Sequence, residues 1–175
     1  MKILVIGTAC WTFEKFRGSL LRKLVLQGKE VIAIGTNRDQ ASLEFLETIG
    51  VRFYDINFDK GRSDILSMVS SLSRILKIFR KHNPDVCLAY FLKPIVIATF
   101  ARFFYPFRLT SLIEGLGHTF TGNKPTMLRR FAKSFLQFTL RFSDRVICLN
   151  VRDKEELFSG EDSGSSEKVL VLPGI

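Results

Sequence analysis

The residues best suited to chemistry gather in three short stretches. In "SLIEGLGHTF", residues 111–120, an apolar run breaks at Glu114 into Gly115, Gly117 and His118 before aromatic sequence resumes. A carboxylate and an imidazole this close can orient a hydroxyl or take its proton, and the glycines let backbone approach a ligand closely. In "YFLKPIVIATFAR", residues 90–102, Lys93 follows an apolar run and precedes Pro94, a residue suited to the start of a helix. That spacing puts an ammonium where a strand end meets a helix N-terminus, within reach of a phosphate or a sugar hydroxyl. In "TACWTFEKFRG", residues 8–18, Trp11, Phe13, Lys15 and Arg17 combine flat apolar surface with cations, which suits stacking and anion contact. Trp11 and Phe13 equally suit capping a sheet; Arg17 is harder to explain as packing.

The elements that must position these residues follow from periodicity. Seven short apolar runs begin at residues 2, 30, 51, 85, 109, 144 and 168, and the longer segments between them have helical period. Helices are expected at about residues 16–28, 39–49, 63–82, 94–104, 126–142 and 153–158, with Gly28 stopping the first. Near-continuous aliphatic strands mean burial on both faces. The pattern therefore predicts an α/β, Rossmann-like fold: a mostly parallel open sheet of about seven strands with helices on both faces. In that architecture ligands sit outside the carboxyl ends of the strands, the edge to which all three stretches belong.

Composition limits the function such an edge serves. A chain of 175 residues, 46% of them hydrophobic, has room for one domain, residues 1–175, with a real core. Its 26 Lys and Arg against 17 Asp and Glu give a net charge of +9, which permits nucleic acid, an anionic membrane or a phosphorylated substrate as partner. No helix-turn-helix, RNP or zinc-finger signature supports nucleic acid, and the cations are interleaved with core-like aromatics. Cys10, Cys87 and Cys148 are odd in number and set in or beside apolar runs, so neither a disulfide framework nor a metal site is expected. Neither a signal peptide nor a transmembrane helix is read from the sequence.

The first crossover has the rhythm of a nucleotide-binding βαβ unit, yet only Gly7 and Gly18 stand where a dinucleotide fingerprint needs three spaced glycines. An NAD-dependent sugar epimerase also needs Y-x-x-x-K, whereas Tyr90 and Lys93 are three apart. That reading falls behind, and no cofactor is expected.

Taken together, "FRGSLLRKLVLQGKEVIAI", "YFLKPIVIATFAR", "SLIEGLGHTFTG" and "DRVICLNVRDKEELF" resemble the N-terminal half of a GT-B glycosyltransferase of family 4. The likeness runs over essentially the whole chain, and its nearest character is that of bacterial sugar transferases of capsule, O-antigen and lipid-linked glycan assembly. The resemblance implies two Rossmann-like domains about a cleft, the first gripping the acceptor and the second most of the nucleotide-sugar donor, with no metal. On that reading Glu114 and His118 are the catalytic candidates, and Arg17, Lys93, Gly115 and Gly117 bind the acceptor. His118 stands where relatives often have an aromatic residue, so which of Glu114 and His118 acts as base stays open. Residues 168–175 resemble the start of the linker to a C-terminal donor domain, so this chain alone is expected to be inactive. A non-catalytic subunit that anchors a separate catalytic half at the membrane is the alternative.

The segment "MLRRFAKSFLQFTLRF", residues 127–142, bears on the acceptor. Leu128, Phe131, Phe135, Phe138 and Phe142 can form an apolar stripe, with Arg129, Arg130, Lys133 and Arg141 as cations facing a membrane. A basic amphipathic helix suits an enzyme resting on the inner face of the bacterial cytoplasmic membrane and reaching a lipid-linked acceptor. A core-facing helix whose aromatics pack on the sheet fits the same pattern.

Overall fold

Each apolar run becomes a strand, and the chain alternates strand and helix throughout. The computed structural model describes residues 1–36, 39–56, 65–115, 127–158 and 167–172, with backbone alone at 65–69, 128, 129 and 132. Within these lie β1 (Lys2–Ala9), α1 (Cys10–Leu26), β2 (Glu30–Thr36), α2 (Gln40–Thr48), β3 (Arg52–Asp55), α3 (Ile65–His82) and β4 (Val86–Tyr90). They continue with α4 (Leu92–Arg102), β5 (Arg108–Ile113), α5 (Met127–Arg141), β6 (Arg145–Cys148), α6 (Val151–Phe158) and β7 (Val169–Val171). The strands form one seven-stranded sheet in the order β3-β2-β1-β4-β5-β6-β7. Every pairing is parallel. The order reverses direction between β1 and β4, which opens a crevice at their carboxyl ends.

The sheet is buried from both sides, which is why its central strands are aliphatic without alternation: Leu4, Val5 and Ile6 are wholly enclosed. One face packs against α1 and α2 through Phe13, Leu21 and Leu46. The other packs against α3 to α6 through Phe79, Ile95, Leu140 and Leu157. Full burial of such a side chain contributes about 1.5–3 kcal/mol. Cys10, Cys87 and Cys148 are buried free thiols within these layers.

Three helices start earlier than the sequence suggests, α6 at Val151 rather than residue 153 among them. α1 begins at Cys10 rather than residue 16, because Cys10, Thr12 and Phe13 are inward residues of its first turn and nothing among them breaks a helix. What sequence reading took for a loop is helical. α4 begins at Leu92, so Pro94 lies inside the first turn, where an N–H would lack an intrahelical partner in any case.

Candidate functional site

The site is built upward from Tyr90, the last residue of β4. Its ring is fully buried, and its hydroxyl lies 3.1 Å from Thr12 Oγ1. Thr12 in turn donates to the Ala9 carbonyl at 2.6 Å, so the phenol is left to donate to the threonine oxygen. Burial pushes the Tyr90 phenol well above its ordinary range, which makes it a fixed neutral donor. Gly7 makes room for it: a Cβ at that position would stand 2.2 Å from the Tyr90 hydroxyl. The first glycine of the β1 crossover therefore serves packing, and a tyrosine ring fills the space beside it.

Arg17 reaches over that ring from the second turn of α1, its guanidinium carbon 5.3 Å from the centroid. Its Nη1 donates to the Phe16 carbonyl at 2.8 Å, and its Nη2 forms an ion pair with Glu114, the residue that follows β5. The pair is nearly closed to water, with 13% of the Arg17 side chain and 10% of the Glu114 side chain exposed. Burial pulls the guanidinium below its ordinary value, opposed in part by Tyr90. The buried Arg17 Nε has no hydrogen-bond partner among the described residues. A charged pair thus joins α1 to the end of β5, across β4, beside the reversal in strand order.

The other expected residues divide. Gly115 has φ 97°, a left-handed conformation that favours glycine, and it turns the chain directly after Glu114. Lys93 is exposed in the first turn of α4, on the same sheet edge. Phe91, between β4 and α4, has φ 70°, a strained conformation for an aromatic residue and the kind of outlier that collects at functional sites. Gly117 and His118 lie outside the described residues. Among the described residues no cluster suited to a metal ion occurs. Two surface grooves of about 470 and 440 Å³ lie elsewhere, one beside the start of β3 and one between α1 and α2.

Sequence reasoning missed Tyr90 and Thr12, which hold the floor of the site, and it left Phe13 open between stacking on a ligand and capping the sheet; the structure gives the second. Phe13 is fully buried against Tyr90 and Phe53, whereas Phe16 is exposed and meets Trp11 edge to face. The phase of α1 carries the missing signal once its start at Cys10 is known.

A second surface lies on the opposite face of the sheet. The inward side of α5 is Leu136, Thr139 and Leu140; Phe131 and Phe138 point away from the core and Phe135 is half-buried. Phe131 and Phe138 are 70% and 54% exposed, and Phe103 and Phe104 beyond α4 are 63% and 64% exposed. Rings meet in series from Phe100 through Phe103 and Phe142 to Phe138, while Phe131 stacks on Phe135. Arg130 and Arg141 are exposed on the same helix and Lys133 is half-buried; the Arg129 side chain lies outside the described residues. The sequence pattern allowed these aromatics to face the core; Phe131 and Phe138 do not, and Phe135 and Phe142 are half-buried. Among the described residues, no helix is long and apolar enough to cross a membrane.

A family model described as Glycosyltransferase Family 4 matches residues 18–173. No curated protein matches the chain. Among solved structures, a glycosyltransferase from Rickettsia africae superposes with TM-score 0.68 at 16% identity, over 97% of this chain and 42% of that one. Anabaena HepE in complex with UDP and glucose gives 0.69 at 14% identity, over 100% and 45%. UDP-GlcNAc 2-epimerase from Neisseria meningitidis bound to UDP-GlcNAc gives 0.66 at 19% identity, over 98% and 46%. These likenesses show the fold, and the chain spans less than half the length of each of these structures.

Proposed function

The chain belongs to glycosyltransferase family 4, and from that premise we propose that it is the acceptor-binding half of an enzyme moving a sugar from a nucleotide-sugar donor to a glycan or lipid-linked acceptor. The observation that carries this reading is the Arg17–Glu114 pair, laid over Tyr90 where strand order reverses. A buried ion pair is weak evidence of stabilisation, because hydrophobic residues of similar volume often serve as well. A positioned carboxylate at a ligand-binding edge has a chemical use.

In the transfer, the acceptor oxygen bonds to the anomeric carbon as the bond from that carbon to the donor diphosphate breaks. The acceptor proton must then leave. A carboxylate held against a guanidinium is a poor base, because the neighbouring cation favours its ionised form. Glu114 therefore orients the acceptor hydroxyl, and His118 is the residue proposed to receive its proton. Arg17 fixes Glu114, Gly115 and Gly117 allow close backbone approach, and Lys93 meets a phosphate or hydroxyl at the α4 N-terminus. Positioning of this kind supplies a large part of a rate enhancement. No metal or other cofactor is needed; the nucleotide sugar is a co-substrate, held mainly by a donor-binding half outside this chain.

The exposed phenylalanines of α4 and α5 support a lipid-linked acceptor met at the cytoplasmic face of a membrane. Aromatic rings bordered by arginines suit the boundary between headgroups and acyl chains of anionic lipid.

The test uses the full-length reading frame. With UDP-sugar donors and a lipid-linked oligosaccharide acceptor, Glu114→Gln and His118→Ala should each lower kcat by about tenfold or more below the melting temperature of either variant. Unchanged turnover in both would end the assignment of the chemistry to this stretch. Robust transfer by the 175-residue chain alone would overturn its reading as half an enzyme.

A further inference from the structure

We propose that Trp11 and Phe16 form a stacking platform for a pyranose ring of the acceptor, an inference that rests on the sugar-transfer reading. The two rings sit edge to face, centroids 5.5 Å apart and planes at 61°. Trp11 is 46% exposed and Phe16 51%, although the same helix fully buries Cys10, Phe13 and Leu21. Large apolar rings left in water beside a buried charged site are what a ligand with an apolar face would use.

The position suits a sugar. Trp11 is in the first turn of α1, next to Thr12, whose hydroxyl meets Tyr90. Phe16 precedes Arg17, and its carbonyl accepts from that guanidinium, so the backbone that carries the platform touches the Arg17–Glu114 pair. One face of a pyranose carries C–H groups and its rim carries hydroxyls. An aromatic face accepts the first, and polar groups beside it bind the second. Lys15, exposed between the two aromatic residues in the chain, adds a cation to the rim. Lipid is the poorer occupant. The platform belongs to the helix layer containing Phe13, and the phenylalanine surface of α5 belongs to the opposite layer.

Trp11 is the chain's single tryptophan, so its fluorescence reports this site alone. The purified chain would be titrated with methyl β-D-glucopyranoside, methyl β-D-galactopyranoside and glycerol, a polyol with no apolar ring face. At least one pyranoside should change the emission saturably, and glycerol should not. Phe16→Ala keeps the indole and removes half the platform; it should raise the half-saturating concentration by about two- to tenfold. A response shared by glycerol, the absence of saturation, or an unchanged half-saturation in Phe16→Ala would overturn the platform. In the full-length enzyme, Trp11→Ala should raise the acceptor KM and leave the donor KM unchanged. Transfer with an unchanged acceptor KM removes the platform and leaves the enzyme reading standing. Saturable pyranoside binding without transfer from any nucleotide sugar does the reverse.

Discussion

Replacing Glu114 with glutamine should cost this fold far more than loss of a surface carboxylate would. The side chains of Arg17 and Glu114 keep only 13% and 10% of their exposure, so water screens the pair little. Without Glu114 the guanidinium has the Phe16 carbonyl and the face of Tyr90 for company. Stranding one partner of a buried ion pair costs about 3–5 kcal/mol. The glutamine amide keeps the shape and one acceptor oxygen, which places Glu114→Gln near the lower limit, about 3 kcal/mol. In a domain of this size each kcal/mol moves the melting temperature by about 2–4 °C, so the variant should melt about 6–12 °C below the parent. Arg17→Met strands the carboxylate and should lose at least as much. Arg17→Met combined with Glu114→Leu removes both charges and should recover most of the loss, since apolar replacement of a whole pair is often neutral. Melts of the parent, Arg17→Met, Glu114→Leu and the double variant by circular dichroism complete a double-mutant cycle. Single variants melting within about 1 °C of the parent, or strictly additive losses, would refute the argument that the pair is buried and coupled.

Gly7→Ala should lose about 3 kcal/mol in chemical denaturation, the upper end for overpacking, because the new methyl would stand 2.3 Å from Tyr90 Cζ as well as 2.2 Å from the hydroxyl. Tyr90→Phe should fail to rescue it, and equal stability of parent and variant would show that the strand can shift. Phe131→Glu and Phe138→Glu should weaken binding to anionic liposomes in flotation assays, and binding of the parent should fall with salt; equal binding to neutral liposomes would remove the electrostatic part. Burial lowers the pKa of His82, whose Nε2 lies 2.8 Å from the Tyr54 hydroxyl. The unfolded chain therefore takes up its proton first, and stability attributable to His82 is full above pH 6.5 and lost as pH falls from there. His82→Gln should flatten that part of the stability profile, and an unchanged slope would assign the loss to other groups.

The sheet was legible because burial on both faces writes strands as aliphatic runs, and β1, β2 and β4 could carry few other sequences. Glu114, Arg17 and Lys93 were legible as polar residues breaking such runs at the edge where parallel sheets bind ligands. Their pairing was not. Nothing in a linear pattern says that a residue in the second turn of α1 crosses β4 to meet the end of β5, because the contact depends on the order β1-β4-β5 in space. Tyr90 was hidden for the same reason: it reads as the aromatic end of a strand, and only its meeting with Gly7 and Thr12 shows it as the floor of the site.

α5 shows where periodicity runs out. Its sequence carries two stripes at helical spacing, one of phenylalanines and one through Leu136 and Leu140, and the larger side chains would by hydrophobicity alone be placed inside. The structure buries the leucines and leaves Phe131 and Phe138 outside. Volume decides it. The layer over β5 and β6 already holds Phe107, Leu109, Val146 and Leu157, and rings added there would overpack it. Keeping two large rings in water forgoes about 1.5–3 kcal/mol for each that could have been buried. A surface bearing that cost, contiguous with Phe103 and flanked by Arg130 and Arg141, is therefore the part of the fold whose sequence is least explained by folding and most in need of something to bind.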